Sequence, residues 1–193
     1  MIKIGITGGI GSGKSVVAQL FTVYGVPVYT ADVESKRITA TSPVIRERLA
    51  ELFGDNLYDG NVLNKKRLAE IIFSDRKSLE AVNSIIHPEV IKDFNTWAER
   101  LDNVACCAME SAILFENGLE KTVDVTLMVY APMQLRLKRV ALRDGTSDDE
   151  IRHRMNSQWS DERKRDLADF VVYNDDVQAL IPQVEQVLST ISH

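Results

Sequence analysis

Cysteine is nearly absent from this 193-residue chain: there are two, the adjacent Cys106 and Cys107. Neighbours on a strand point to opposite faces and are poorly placed for an ordinary disulfide, so both read as core thiols in a reducing compartment. Long apolar runs are missing too. None approaches the roughly 20 residues of a membrane-spanning helix. No signal-peptide pattern precedes Ile2, where an apolar alternation already begins, so the expectation is a cytoplasmic protein that uses no membrane. A cationic surplus is also lacking. With 23 Lys and Arg against 28 Asp and Glu the net charge is −5, which argues against nucleic acid as a partner, since phosphate backbones demand clear excess positive charge. Nor are there repeats or low-complexity linkers. What remains is an ordinary globular composition, long enough for one domain with a full core and an inserted lobe.

The stretch around which the chain is organised is Gly8-Gly9-Ile10-Gly11-Ser12-Gly13-Lys14-Ser15, which fits G-x-x-x-x-G-K-[ST] at every fixed position. Residues 2–7 before it alternate apolar side chains over the length of a strand, and residues 15–24 after it read as a helix closed by Gly25. Strand, glycine loop and helix suit a triphosphate. Glycines let main-chain N–H groups curl around phosphate while the helix N-terminus offers partial positive charge. The amides of Gly11, Ser12, Gly13 and Lys14 are expected to face the phosphates, with Gly9, Ser15 and Val16 also in the nucleotide site. The Lys14 ammonium is expected at the β/γ oxygens of ATP or GTP, and the Ser15 hydroxyl on Mg2+.

Along the chain, residues 26–29 form a short strand candidate ending at Thr30-Ala31-Asp32. Asp32 is either a carboxylate beyond the carboxyl end of a strand, where open α/β sheets hold ligands, or the N-cap of a helix starting near Val33. From Ser35 to Leu101 no convincing β run appears. Helices are expected from Ser42-Pro43 to Gly54, from a cap at Asn64, from a cap at Ser74, and anew from His87-Pro88 to about Leu101, with a turn-rich loop over 55–61. Several helices between strands read as an inserted lobe for a second substrate. Residues 104–109 resume the sheet, and Glu110 at their end either holds Mg2+ through water or caps the next turn.

After a strand over 123–130 and a helix over 133–143 comes a cationic concentration: Arg136, Lys138, Arg139, Arg143, Arg152 and Arg154, restarted by the capping box Ser147-x-x-Glu150. For Arg136, Lys138 and Arg152 the expectation is a solvated helix face. Arg139 and Arg143, four apart, are expected to point together at a transferring phosphoryl group from a mobile lid. A polar helix over 161–167, a last strand over 170–173 and an amphipathic helix over 177–191 close the chain. Asn174 either reads an adenine edge or caps that helix.

In their order these segments resemble the dephospho-CoA kinases, of the nucleoside-monophosphate-kinase-like P-loop group. The resemblance runs from Ile2 to about Val177. It rests on residues 7–15, Ala31-Asp32, Arg67-Leu68 with Ile72-Phe73, His87-Pro88, Leu114-Phe115-Glu116, and Gln134-Leu135 with Arg139 and Arg143-Asp144. It continues through Arg154-x-x-x-Gln158 and Ala168-Asp169-x-Val171-Val172-x-Asn174-Asp175. It implies an α/β fold, a P-loop three-layer sandwich with a parallel central sheet, an inserted helical substrate lobe and a helical lid. The core would take in about 1–32, 103–135 and 168–193, the insert about 33–102 and the lid about 136–167.

The activity implied is phosphorylation by ATP and Mg2+ of the ribose 3′-hydroxyl of dephospho-CoA, the last step of coenzyme A synthesis. ATP and dephospho-CoA would be the partners, with no nucleic acid, membrane or obligate protein. Asp32 would orient or deprotonate that hydroxyl, Lys14, Arg139 and Arg143 would meet the ATP phosphates, and Asn174 the adenine. Arg67, His87 and Glu110 would serve the substrate side. Three positions depart from the family's pattern: Thr30 where an aspartate is common, Val16 where a second hydroxyl is usual, and Ser111-Ala112-Ile113 without the usual proline. Another nucleoside or nucleotide kinase is the neighbouring alternative. A P-loop switch protein is the more distant one, for which no water-positioning residue or switch segment is visible.

Overall fold

The computed structural model describes residues 1–60 and 62–191. Strand β1 (Ile2–Thr7) is laid down by its alternating apolar residues and becomes fully buried toward its carboxyl end. It runs between β5 (Cys106–Glu110) and β6 (Val125–Tyr130), parallel to both. Strand β2 (Val28–Thr30) adds outside β5 and β7 (Phe170–Tyr173) outside β6, giving an all-parallel sheet in the order β2-β5-β1-β6-β7. Every residue of β5 is buried, as a strand covered on both faces requires. Cys106 and Cys107 lie there as free thiols, and burial raises both pKa values. Helices α1 (Lys14–Val23) and α9 (Leu180–Ile191) bring Val17, Phe21, Val184, Val187 and Ile191 onto Ile4, Ile6, Leu127, Val129 and Val172.

The chain divides into two compact units, Met1–Thr30 with Leu101–His193, and Ala31–Arg100. The first holds the sheet together with α6 (Met133–Asp144), α7 (Asp148–Asn156) and α8 (Asp161–Leu167). The second holds α2 (Ala31–Thr41), α3 (Pro43–Phe53), α4 (Lys65–Ser74) and α5 (Arg76–Glu99), all three shorter helices packing on α5. No helix among the described residues is long and apolar enough to cross a membrane.

Several boundaries differ from the sequence expectation. Pro88 does not start a new helix: α5 runs unbroken through it. Its ring lies on an exposed position while Val82, Ile85, Ile86, Val90 and Phe94 bury the opposite face, so burial along the whole length outweighs the one missing amide bond. The cap of α5 is Asp75, whose carboxylate accepts from Lys77 and Ser78 N–H at 3.1 Å, and not Ser74, on which α4 ends. The expected loop over 55–61 instead holds a 3-10 turn, Asp55–Leu57, and the strand β3 (Tyr58–Asp59), which pairs antiparallel with β4 (Val62–Leu63) just beyond it, two-residue strands too short to show any alternation; Asn61 falls outside the described residues. Helix α2 begins at Ala31, which places Asp32 inside its first turn instead of at an N-cap. Helix α9 begins at Leu180 because Asp175 takes the Val177 and Gln178 N–H groups at 3.0 and 2.9 Å, and Asp176 adopts φ 62°.

Candidate active site

The loop between β1 and α1 sits at the carboxyl end of the sheet's central strand. Ser12 N–H closes a turn onto the Gly9 carbonyl at 3.0 Å, and the Gly13 carbonyl accepts from Val16 and Val17 as α1 begins. Gly13, at φ 91°, is the N-cap and brings no side chain to the helix end, so no side-chain oxygen caps α1. Gly11, at φ 80°, has the same backbone need, and a methyl group there would also come within 2.7 Å of the Arg136 carbonyl. The buried hydroxyls of Thr7 and Ser12 have no hydrogen-bond partner among the described residues. An uncapped helix start with orphaned hydroxyls is what an oxyanion-rich ligand would complete.

Glu110 ends β5, next to β1, only 4% exposed. Its Oε1 lies 3.2 Å from Lys14 Nζ. Thr30 is its register partner on β2, so the departure from the family's common aspartate puts a hydroxyl beside Glu110 in place of a second carboxylate. No group of three or more His, Cys, Asp or Glu is gathered among the described residues. Mg2+ bound beside phosphate keeps several waters and takes one or two carboxylates together with phosphate oxygens. The exposed hydroxyl-bearing residue Ser15 and the buried carboxylate of Glu110 are the donors available for it. Without proline, the loop after Glu110 is held by Ser111 N–H on the Ile6 carbonyl at 2.9 Å and by Ile113 N–H on Ser111 Oγ at 3.3 Å.

Arg139 and Arg143 do not converge. Arg139 donates through Nη1 to the Asn174 carbonyl at 3.1 Å and through Nη2 to Asn174 Oδ1 at 3.3 Å, and pairs with Asp176. Asn174 in turn donates through Nδ2 to the Ser12 carbonyl at 2.8 Å, which ties Arg139 to the loop through one amide. Arg143, its side chain 61% exposed, bonds instead to Asp144, which also receives Arg154.

The expectation for Arg136 is corrected. Lys138 and Arg152 are exposed as anticipated, but Arg136 is 7% exposed, pairs with Asp161 at the start of α8, and donates through Nε to the Ile10 carbonyl at 2.9 Å. Sequence reasoning also missed Lys164. It is wholly buried, with Nζ 2.7 Å from both Glu116 Oε1 and the Ala112 carbonyl, and Glu116 accepts the Trp159 N–H at 2.9 Å. Burial lowers the Lys164 pKa, with Glu116 opposing. One signal was available: Asp161 and Lys164, three apart, share one face of the helix expected over 161–167.

The remaining expected residues belong to the helical unit. Asp32 is exposed in the first turn of α2. Arg67 is exposed in the first turn of α4, where its N–H bonds the Asn64 cap at 3.0 Å. His87 is half-buried in α5, and that burial lowers its pKa. Arg37 of α2 pairs with Asp93 of α5 at 2.7 Å and with Glu34.

Comparison with known proteins follows the same lines. The sequence pattern of the dephospho-CoA kinase family matches residues 2–179. A dephospho-CoA kinase of Bacteroides fragilis is 48% identical over 188 residues, 97% of this chain and 92% of that protein. The crystal structure of a Thermus thermophilus protein superposes with a TM-score of 0.82 at 35% identity, covering 98% of this chain and 95% of the other. Dephospho-CoA kinase from Campylobacter jejuni does so with a TM-score of 0.69 at 25% identity over 98% and 96%.

Proposed function

The chain belongs to the dephospho-CoA kinase family, and from that premise we propose that it carries the γ-phosphoryl group of ATP to the ribose 3′-hydroxyl of dephospho-CoA. The observation that supports this most is the phosphate loop itself, with an uncapped α1 and Lys14 held on a buried carboxylate at its mouth.

Loop amides and Lys14 hold the triphosphate. Asp32 orients the acceptor hydroxyl and takes its proton as the hydroxyl oxygen bonds to phosphorus and the bond to the ADP oxygen breaks. Arg139, released from Asp176, meets the charge spreading over the phosphoryl oxygens, with Arg143, released from Asp144, as a second cation, and Asn174 turns to the adenine as Arg139 leaves its Oδ1. Mg2+ held by Ser15 and, through water, by Glu110 would neutralise charge on the β- and γ-oxygens. Residues 33–102 are the lobe that grips the acceptor, Arg67 and His87 among them, and 136–167 the lid that excludes water. The setting is the cytoplasm, as the last step of coenzyme A synthesis.

The test is an acceptor screen. Purified protein with ATP and Mg2+ is offered dephospho-CoA, pantetheine derivatives and nucleosides in parallel. Phosphorylation of dephospho-CoA alone is the expected result. Preference for a nucleoside would make it another small-molecule kinase, and ATP hydrolysis with no acceptor modified would contradict kinase action altogether.

A further inference from the structure

The main chain of Ile10, at the crest of the phosphate loop, is gripped from both sides. Its N–H donates to Gln158 Oε1 at 3.1 Å, and its carbonyl accepts from Arg136 Nε at 2.9 Å. The rest of the Arg136 guanidinium pairs with Asp161, both side chains more than nine-tenths buried. The ion pair also occupies the space beside Gly9, where an added methyl group would meet Arg136 Nη2 and Asp161 Oδ1 at 2.5 Å. The Ile10 side chain packs on Leu137, Val140, Ile151 and Met155.

We propose that Arg136, Asp161 and Gln158 are positioning residues that fix the phosphate loop in its anion-binding shape through the main chain of Ile10. The inference rests on the reading of that loop as the cradle of ATP. Main-chain amides bind phosphate well only when they already converge, because ordering a loose loop is subtracted from the binding free energy. A buried ion pair is a weak source of stability compared with apolar side chains of similar volume, but it is directional. Here the direction is toward the loop. The three side chains come from α6, from the turn after α7 and from the first turn of α8, so the segment carrying Arg139 is bonded to the loop that Arg139 serves.

Two variants test this. Gln158→Met removes the acceptor for Ile10 N–H at a half-buried position. The double variant Arg136→Met with Asp161→Leu removes both charges together, so that neither is left buried alone. Hydrogen exchange of residues 8–13 without nucleotide is expected to quicken by about tenfold or more in each. In kinetics the KM for ATP is expected to rise by about tenfold while the KM for dephospho-CoA stays within about twofold. A merely structural role would lower the active fraction and leave both KM values in place. Unchanged loop exchange, or an ATP KM within about twofold of the unmodified protein, overturns the proposal. If the double variant does not melt cooperatively, Gln158→Met decides alone. If the unmodified protein phosphorylates no acceptor, the function is wrong, while the exchange measurement, which needs no ATP, still decides the clamp.

Discussion

Lys14 Nζ and Glu110 Oε1 stand 3.2 Å apart, at side-chain exposures of 16% and 5%. In this arrangement the carboxylate neutralises the ammonium before any phosphate arrives, so in the proposed mechanism ATP must draw Lys14 away from Glu110. Glu110→Gln keeps the shape and removes that competition. Nucleotide binding measured calorimetrically in a metal chelator is expected to hold or tighten, whereas turnover with Mg2+ falls on the order of 100-fold, the scale for loss of one transition-state contact. Weaker metal-free binding in that variant would contradict the competition.

In the proposed mechanism Arg139 faces the same choice between Asp176 and phosphate. Asp176 is 63% exposed, and exposed pairs are worth about 0.2–1 kcal/mol. Asp176→Asn is therefore expected to lower the KM for ATP by about two- to threefold. An increase would mean that Asp176 serves to aim Arg139 and not to retain it.

Legibility in the sequence follows locality. The first strand, its loop and α1 are set by neighbours within a few positions, and so are the Ser42-Pro43 start of α3 and the Ser147 capping box, which all appear where expected. Charged residues are illegible for the opposite reason. Arg136 meets Asp161, and Lys164 meets Glu116, far apart along the chain, and in sequence a buried Arg looks like a solvated one. For Arg136 a signal existed in its place beside Leu137 and four before Val140, on the apolar stripe of α6. Pro88 failed as a breaker because its effect is local, whereas α5 is held by three packed helices.

Lys164 should be the costliest charge to remove. Lys164→Met leaves Glu116 buried without its partner and the Ala112 carbonyl without its donor. Breaking one side of a buried pair costs about 3–5 kcal/mol, and for a chain of this size that lowers Tm on the order of 10 °C. Differential scanning calorimetry reads it directly. A shift under about 2 °C would show that Glu116 finds another partner.

His87 sets a pH dependence in the helical unit. Its folded pKa lies below the ordinary 6.5 because burial disfavours the charged ring. Between the two values the unfolded chain binds the proton and the folded one does not, so stability is full above pH 6.5 and declines as pH falls toward the folded pKa. Thermal melts at pH 8 and pH 5 are expected to show a smaller acid-induced drop for His87→Gln than for the unmodified protein. Equal drops would remove His87 as the source.

The most direct test of the account is a single-turnover experiment followed by phosphorus NMR, with ATP, Mg2+ and dephospho-CoA, on the unmodified protein and on Asp32→Asn. The expected result is ADP and one new phosphomonoester on the ribose 3′-oxygen in equal amounts. In Asp32→Asn, ATP affinity should be retained and the transfer step slowed by about 100- to 10,000-fold. Phosphate released without a modified acceptor, a phosphomonoester at another position, or near-normal transfer by Asp32→Asn would contradict it.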